Sequence, residues 1–180
     1  MDVPGKVTGV STPEGFMTIS VGDRIPDVDL WQVTEGGSGF APVSAATVLA
    51  KGRVVLFAVP GAFTPTCSDH HLPGFVLRAD EIRAKGVDTI ACLSVNDPFV
   101  MGAWAKDQKV SDSVVMLADG NGEFTRAVGL EMNGSGVGLG TRSQRYGAII
   151  EDGTVTALFV EPERGLGVSS AESLLAALSS

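Results

Sequence analysis

Thr64 and Cys67 stand three residues apart in the run Pro60-Gly61-Ala62-Phe63-Thr64-Pro65-Thr66-Cys67. A thiolate is a nucleophile and a metal ligand, and its reactivity depends on how readily it forms. A hydroxyl beside it both donates and accepts hydrogen bonds. The chain holds one other thiol, Cys92, and two imidazoles, His70 and His71. Those four residues are the soft or nitrogenous ligands that a transition metal would need. Adjacent residues on a helix point about 100° apart, so His70 and His71 do not easily face one ion, and no metal site is expected. A cysteine hydrolase needs a base beside its thiol. The two histidines follow Cys67 too closely in a helix to lie over it. Neither a G-x-S-x-G elbow nor a phosphate loop is present; Gly134 to Gly140 lacks the required Lys and Ser/Thr and reads as a flexible loop.

The surrounding elements decide what the thiol can do. Val54 to Val59 is an apolar run, rich in β-branched residues, and reads as a buried strand. Pro60 and Gly61 end it, and a helix is expected from near Thr66. Cys67 then falls in or beside the first helical turn, at the end of a strand where open α/β sheets place their ligands. Free N–H groups and the helix dipole favour an anion there. Leu72, Phe75, Val76, Ala79 and Ile82 repeat at helical spacing, with an expected kink at Pro73 and an end at Gly86.

A strand is expected near Val28 to Val33, with a possible short one at Phe16 to Ser20. Glu35 to Phe40 reads as a Gly-rich loop, and Ser44 as the cap of a helix through Ala50. Further along, a strand over Val87 to Val95 precedes a helix opened by Asn96-Asp97-Pro98 and running to about Gln108. A strand over Val114 to Leu117, a turn at Asp119 to Gly122 and a short helix to Val128 come next. Tyr146 to Glu151 and Thr154 to Val160 straddle Asp152-Gly153, a hairpin signal. Ser169 or Ser170 caps a last helix to Leu178.

With 180 residues, 44% of them hydrophobic, the chain suits one domain with a sizeable core, residues 1 to 20 forming an N-terminal extension. A net charge of −8 with thirteen scattered basic residues argues against nucleic acid as a partner. The apolar stretches are too short for a membrane span, and the first ten residues lack the apolar core of a signal peptide. Two cysteines do not make a disulfide scaffold, which fits the reducing cytoplasm.

Pro60, Thr64 and Cys67 form the P-x-x-x-T-x-x-C pattern of the peroxiredoxins, which this chain resembles. PGAFTPTCSDHHLPGF is similar to the peroxiredoxin 5-like, or type II (atypical), subfamily. Two later blocks match in order: Val87 to Trp104, and Arg142 to Glu163. The resemblance runs from about Val21 to near the C-terminus. It implies, as the element order also suits, a thioredoxin-like α/β sandwich with a central mixed β-sheet flanked by helices. It also implies a thiol peroxidase acting on hydrogen peroxide and small alkyl hydroperoxides through a sulfenic acid on Cys67, with no metal or organic cofactor needed. Thr64 and Arg145 would orient the peroxide, Pro60 would shield the thiolate and His71 would support the pocket, with His70 in solvent. Arg142 matches a basic position too and ranks behind Arg145.

Acidity alone would not make such an enzyme fast. Moving a thiol from pKa about 8.5 to about 6 raises its thiolate fraction at pH 7 roughly thirtyfold. The accompanying loss of nucleophilicity is roughly 10- to 18-fold. Fixed donors must therefore stabilise the charge that develops as the O–O bond breaks.

Thioredoxins carry C-x-x-C at this turn, and Thr64 stands where its first cysteine would be, so a dithiol mechanism is disfavoured. Cys92 is a small core residue by default. Its spacing of twenty-five residues from Cys67 matches a cysteine implicated as a resolving thiol in some plant-like relatives. Other relatives resolve with a cysteine where this chain has Val168-Ser169-Ser170. Glutaredoxin with glutathione, or thioredoxin, is the reductant that the resemblance implies. A homodimer through Phe63 and the Asp97 to Trp104 region is implied as well. The alternative reading is a thiol-disulfide or holdase-type interaction protein on the same fold.

Overall fold

A computed structural model describes residues 18–179. Its centre is a seven-stranded sheet in the order β2-β1-β5-β4-β3-β8-β9. The strands are β1 Asp29–Thr34, β2 Gly39–Ser44, β3 Arg53–Val59, β4 Thr89–Ser94, β5 Val115–Ala118, β8 Tyr146–Glu151 and β9 Thr154–Val160. β3, β4 and β5 run parallel, and the remaining neighbours are antiparallel, so the sheet is mixed. A separate ribbon pairs β6 Glu131–Asn133 with β7 Thr141–Ser143.

Side chains alternate across a strand, and β3 shows how this divides the core. Val55, Phe57 and Val59 face one layer, and Val54, Leu56 and Ala58 the other. The first layer receives α2 Leu72–Leu77, α3 Ala79–Ala84, α4 Pro98–Asp107 and α6 Ala171–Leu178. Both parallel crossovers step along the sheet in the same direction. Right-handed connection therefore brings the helices of both to the same face. The second layer holds α1 Ala45–Leu49 and α5 Glu123–Ala127. This is the thioredoxin-like sandwich that the sequence predicts.

The helix starts read from the sequence are found, each with a side-chain cap. Ser44, Asp97 and Ser170 accept from the N–H groups of Thr47, Val100 and Ser173. Three local readings change. Glu35 to Phe40 is not all loop: a 3-10 turn at Glu35–Gly37 leads into β2, an edge strand, where Pro42 is tolerated because one side of the strand needs no partner. The possible strand at 16–20 falls partly outside the described residues, and 18–20 are not strand. The helix after Cys67 opens with a π turn over Cys67–His71, closed by the Leu72 N–H to the Cys67 carbonyl. Pro73 follows directly after that wider turn, in α2, and the helical path breaks instead at Arg78.

Candidate active site

Cys67 lies where β3 hands over to the π turn, and its side chain is fully buried. Between them Phe63 takes a left-handed backbone, φ 63°, with its ring half exposed. That conformation costs a non-glycine residue about 1–2 kcal/mol. The loop is tied to the end of β4, where Asn96 Oδ1 accepts from the Ala62 N–H at 3.0 Å. Thr64 Oγ1 is 2.8 Å from Cys67 Sγ and 2.8 Å from the Gly61 carbonyl. One hydroxyl proton faces two acceptors. A neutral thiol would donate to Thr64 and leave its proton for Gly61, whereas a thiolate competes for that proton.

Arg145 immediately precedes β8, yet it meets the same sulfur. Its Nη2 donates to Cys67 Sγ at 3.1 Å, and its Nη1 lies 2.8 Å from His71 Nδ1. A guanidinium has only donors, so Nδ1 must accept and His71 carries its proton on Nε2. That nitrogen donates to the Ser169 carbonyl at 2.9 Å. The ring sits against Phe57 and Phe75, themselves stacked with centroids 3.9 Å apart. Burial first, and Arg145 second, push the His71 pKa down to about 3. His71 is therefore neutral across the physiological range and orients Arg145 without competing for its charge.

The other expected residues are distributed as follows. Pro60 lines a groove of about 570 Å³ together with Thr66, Arg145, Met132, Val137 and Leu139. Arg142 donates through Nε to the Leu139 carbonyl at 2.9 Å, and its Nη1 is 3.5 Å from the Pro60 carbonyl. It braces the loop rather than contacting the sulfur. His70 is exposed, on the other side of the turn from His71. Cys92 is fully buried in β4, paired with Phe57 and Met116, and both cysteines are free. Burial, then the neighbouring Cys67, push its thiol well above the ordinary range. Of the predicted dimer region, Phe63 and Phe99 are exposed, whereas Met101 and Trp104 belong to the core. The Ser169 carbonyl was not foreseeable from the sequence, because a main-chain acceptor has no residue signature.

The pattern of the redoxin family matches residues 20–175. Arabidopsis thaliana peroxiredoxin-2D is 46% identical over 160 residues, covering 89% of this chain and 98% of that protein. This chain belongs to the peroxiredoxin family. The chloroplastic peroxiredoxin-2E of the same plant is 49% identical over 163 residues, 89% of this chain and 70% of that one. Among solved peroxiredoxins, reduced Prx3 of Vibrio vulnificus in complex with hydrogen peroxide superposes with a TM-score of 0.84. The two are 50% identical over 89% of this chain and 99% of that one. Peroxiredoxin 5 of Alvinella pompejana gives a TM-score of 0.78 at 35% identity, covering 89% and 98%. Peroxiredoxins are thiol peroxidases, and this chain is an enzyme of that class.

Proposed function

We propose that Cys67 is the peroxidatic thiolate and that Arg145 and Thr64 hold the peroxide against it. The sulfur attacks the terminal oxygen of ROOH, a new S–O bond forms and the O–O bond breaks. The electron pair leaves as RO⁻, which takes a proton to give water or an alcohol, and Cys67 becomes a sulfenic acid. The observation that carries the reading is the convergence of Arg145 Nη2 and Thr64 Oγ1 on one buried sulfur. Donors fixed before the reaction meet the charge spreading over sulfur and both oxygens without reorganising. Hydrogen peroxide and small alkyl hydroperoxides are the substrates, the groove beside Arg145 leaving room for a short alkyl tail.

A reducing thiol then attacks the sulfenic sulfur, releasing water and leaving a mixed disulfide. A second thiol displaces Cys67 again. We assign that role to glutathione with glutaredoxin, or to thioredoxin, rather than to Cys92, whose buried thiol resists the deprotonation that an attacking sulfur needs. The exposed Phe63 and Phe99, with Phe99 packed edge-on against Phe40, support a homodimer through that surface. The setting we propose is the cytoplasm, where both cysteines would be kept as thiols. Stopped-flow mixing of the reduced protein with one equivalent of peroxide is the test. Cys67→Ser should abolish the fast reaction, and full turnover in that variant would refute the assignment.

A further inference from the structure

Outside the groups that touch the sulfur, one carboxylate has bonding that the reaction scheme does not use. Glu161 follows β9, and its Oε1 accepts from three donors: the N–H of Gly167, the N–H of Ser169 and the Ser169 hydroxyl, each at 2.8 Å. Partial burial opposes ionisation, but these donors hold the carboxyl below its ordinary range, so it is an anion at neutral pH. The Ser169 they pin is fully buried, and its carbonyl is the acceptor for His71. The Glu161 N–H, meanwhile, donates to the Arg145 carbonyl at 3.0 Å. These bonds close a circuit. It runs from the Arg145 main chain to Glu161, through its carboxylate to Ser169, through the Ser169 carbonyl to His71, and back to the Arg145 guanidinium.

We propose that Glu161 is a positioning residue for the peroxide reaction, fixing the guanidinium of Arg145 over Cys67 through the Ser169 carbonyl and the His71 ring. A long arginine side chain held only at its backbone samples many rotamers. Here the residue that grips its backbone also sets, two hydrogen bonds away, the acceptor that grips its tip. Each link needs the next. His71 accepts from Arg145 at Nδ1 in the tautomer protonated on Nε2, and the Ser169 carbonyl holds the ring in that tautomer and orientation. That carbonyl is in place only while the Gly167 to Ser169 segment is folded onto Glu161. A carboxylate suits the hub because it only accepts. The neutral Gln side chain keeps one such oxygen with less negative charge, and Ala keeps none.

The inference rests on the peroxidase reading above, and its test separates the two. The second-order rate with hydrogen peroxide is measured by stopped flow for wild type, Glu161→Ala, Glu161→Gln, Arg145→Gln and the two Arg145→Gln double variants. Their fold is checked by circular dichroism. A guanidinium loosened by an ångström should slow the reaction about tenfold or more in Glu161→Ala. Glu161→Gln should fall between that variant and wild type. In the Arg145→Gln background neither Glu161 change should matter beyond twofold, because the group being positioned is gone. A Glu161→Ala rate within twofold of wild type would overturn the proposal, as would an equal slowing in both backgrounds, which marks a general structural role. If Glu161→Ala does not fold, Glu161→Gln is read in the same two backgrounds against the same criterion. An Arg145→Gln rate equal to wild type would instead overturn the role given to Arg145 in the reaction itself.

Discussion

Acid should loosen this protein through His71 before it protonates the carboxylates. In the folded chain Nδ1 faces an arginine that only donates, so a proton placed there would set N–H against N–H beside a positive charge. The folded pKa of about 3 lies below the unfolded 6.5, so the unfolded chain binds the extra proton between those values. Stability from this group is complete above pH 6.5 and falls as the pH drops toward 3. From pH 7 to pH 5 the linkage integrates to about 2 kcal/mol lost. With a urea dependence of ~2 kcal/mol per molar, the midpoint should move down by roughly 1 M. The assay is urea unfolding followed by circular dichroism at pH 7, 6 and 5, at fixed protein concentration and ionic strength. His71→Asn, which cannot titrate there, removes this contribution and leaves every other group as the control. Its midpoint should depend on pH less steeply than that of wild type, by about 1 M over the interval. Parallel curves for the two proteins would refute the reasoning, because they would mean that His71 binds its proton equally well folded and unfolded.

Two further outcomes follow from the same geometry. Thr64→Val keeps the shape of the residue but removes the hydroxyl from the sulfur, and should slow the stopped-flow reaction with hydrogen peroxide by about 10²-fold, with Thr64→Ser retaining most of the rate. Mass spectrometry of protein treated with one equivalent of peroxide and then glutathione should show the adduct on Cys67; a Cys67–Cys92 disulfide as the main product would overturn the external resolution proposed here.

The elements that carry the site were legible because their signals are local. A β-branched run stopped by Pro60-Gly61 describes a strand that ends, and the structure has β3 at Arg53–Val59. Asp152-Gly153 requires two left-handed residues in succession, and their φ values are 48° and 86°. Cys92 reads as core because its strand is apolar on both faces, and it is fully buried. β2 was missed because Gly39 and Pro42 are breakers everywhere except at a sheet edge, and only the assembled sheet defines an edge. The π turn was missed for a related reason. The sequence shows that Pro73 cannot donate, but not whether the chain answers with a kink or with a wider turn before it.

Register is what no local pattern supplies, and the site depends on it. β3 and β8 pair antiparallel with Ala58 opposite Tyr146, so the chain leaving β3 toward Pro60 passes the residue entering β8, which is Arg145. Tyr146 and Ala58 belong to the second core layer, whereas Ile149 and Phe57 belong to the first, together with Cys67. Alternation then sends Arg145 to the layer that holds the sulfur. A slip of one residue would turn the whole strand over, aiming Arg145 at the layer of Leu56 and Phe124 and carrying Tyr146 toward the thiol. The hydrophobic pattern of β8 resists such a slip only weakly, since Tyr146 to Ile150 is buried on both faces. Gly147 adds a packing preference. A Cβ there would lie 2.7 Å from Leu174 Cδ2 of α6, so a larger residue facing the first layer at that point would require the Leu174 side chain to move. The close packing of α6 on Gly147 thus favours the face on which Arg145 emerges, and with it the side of the sheet on which a guanidinium can meet Cys67.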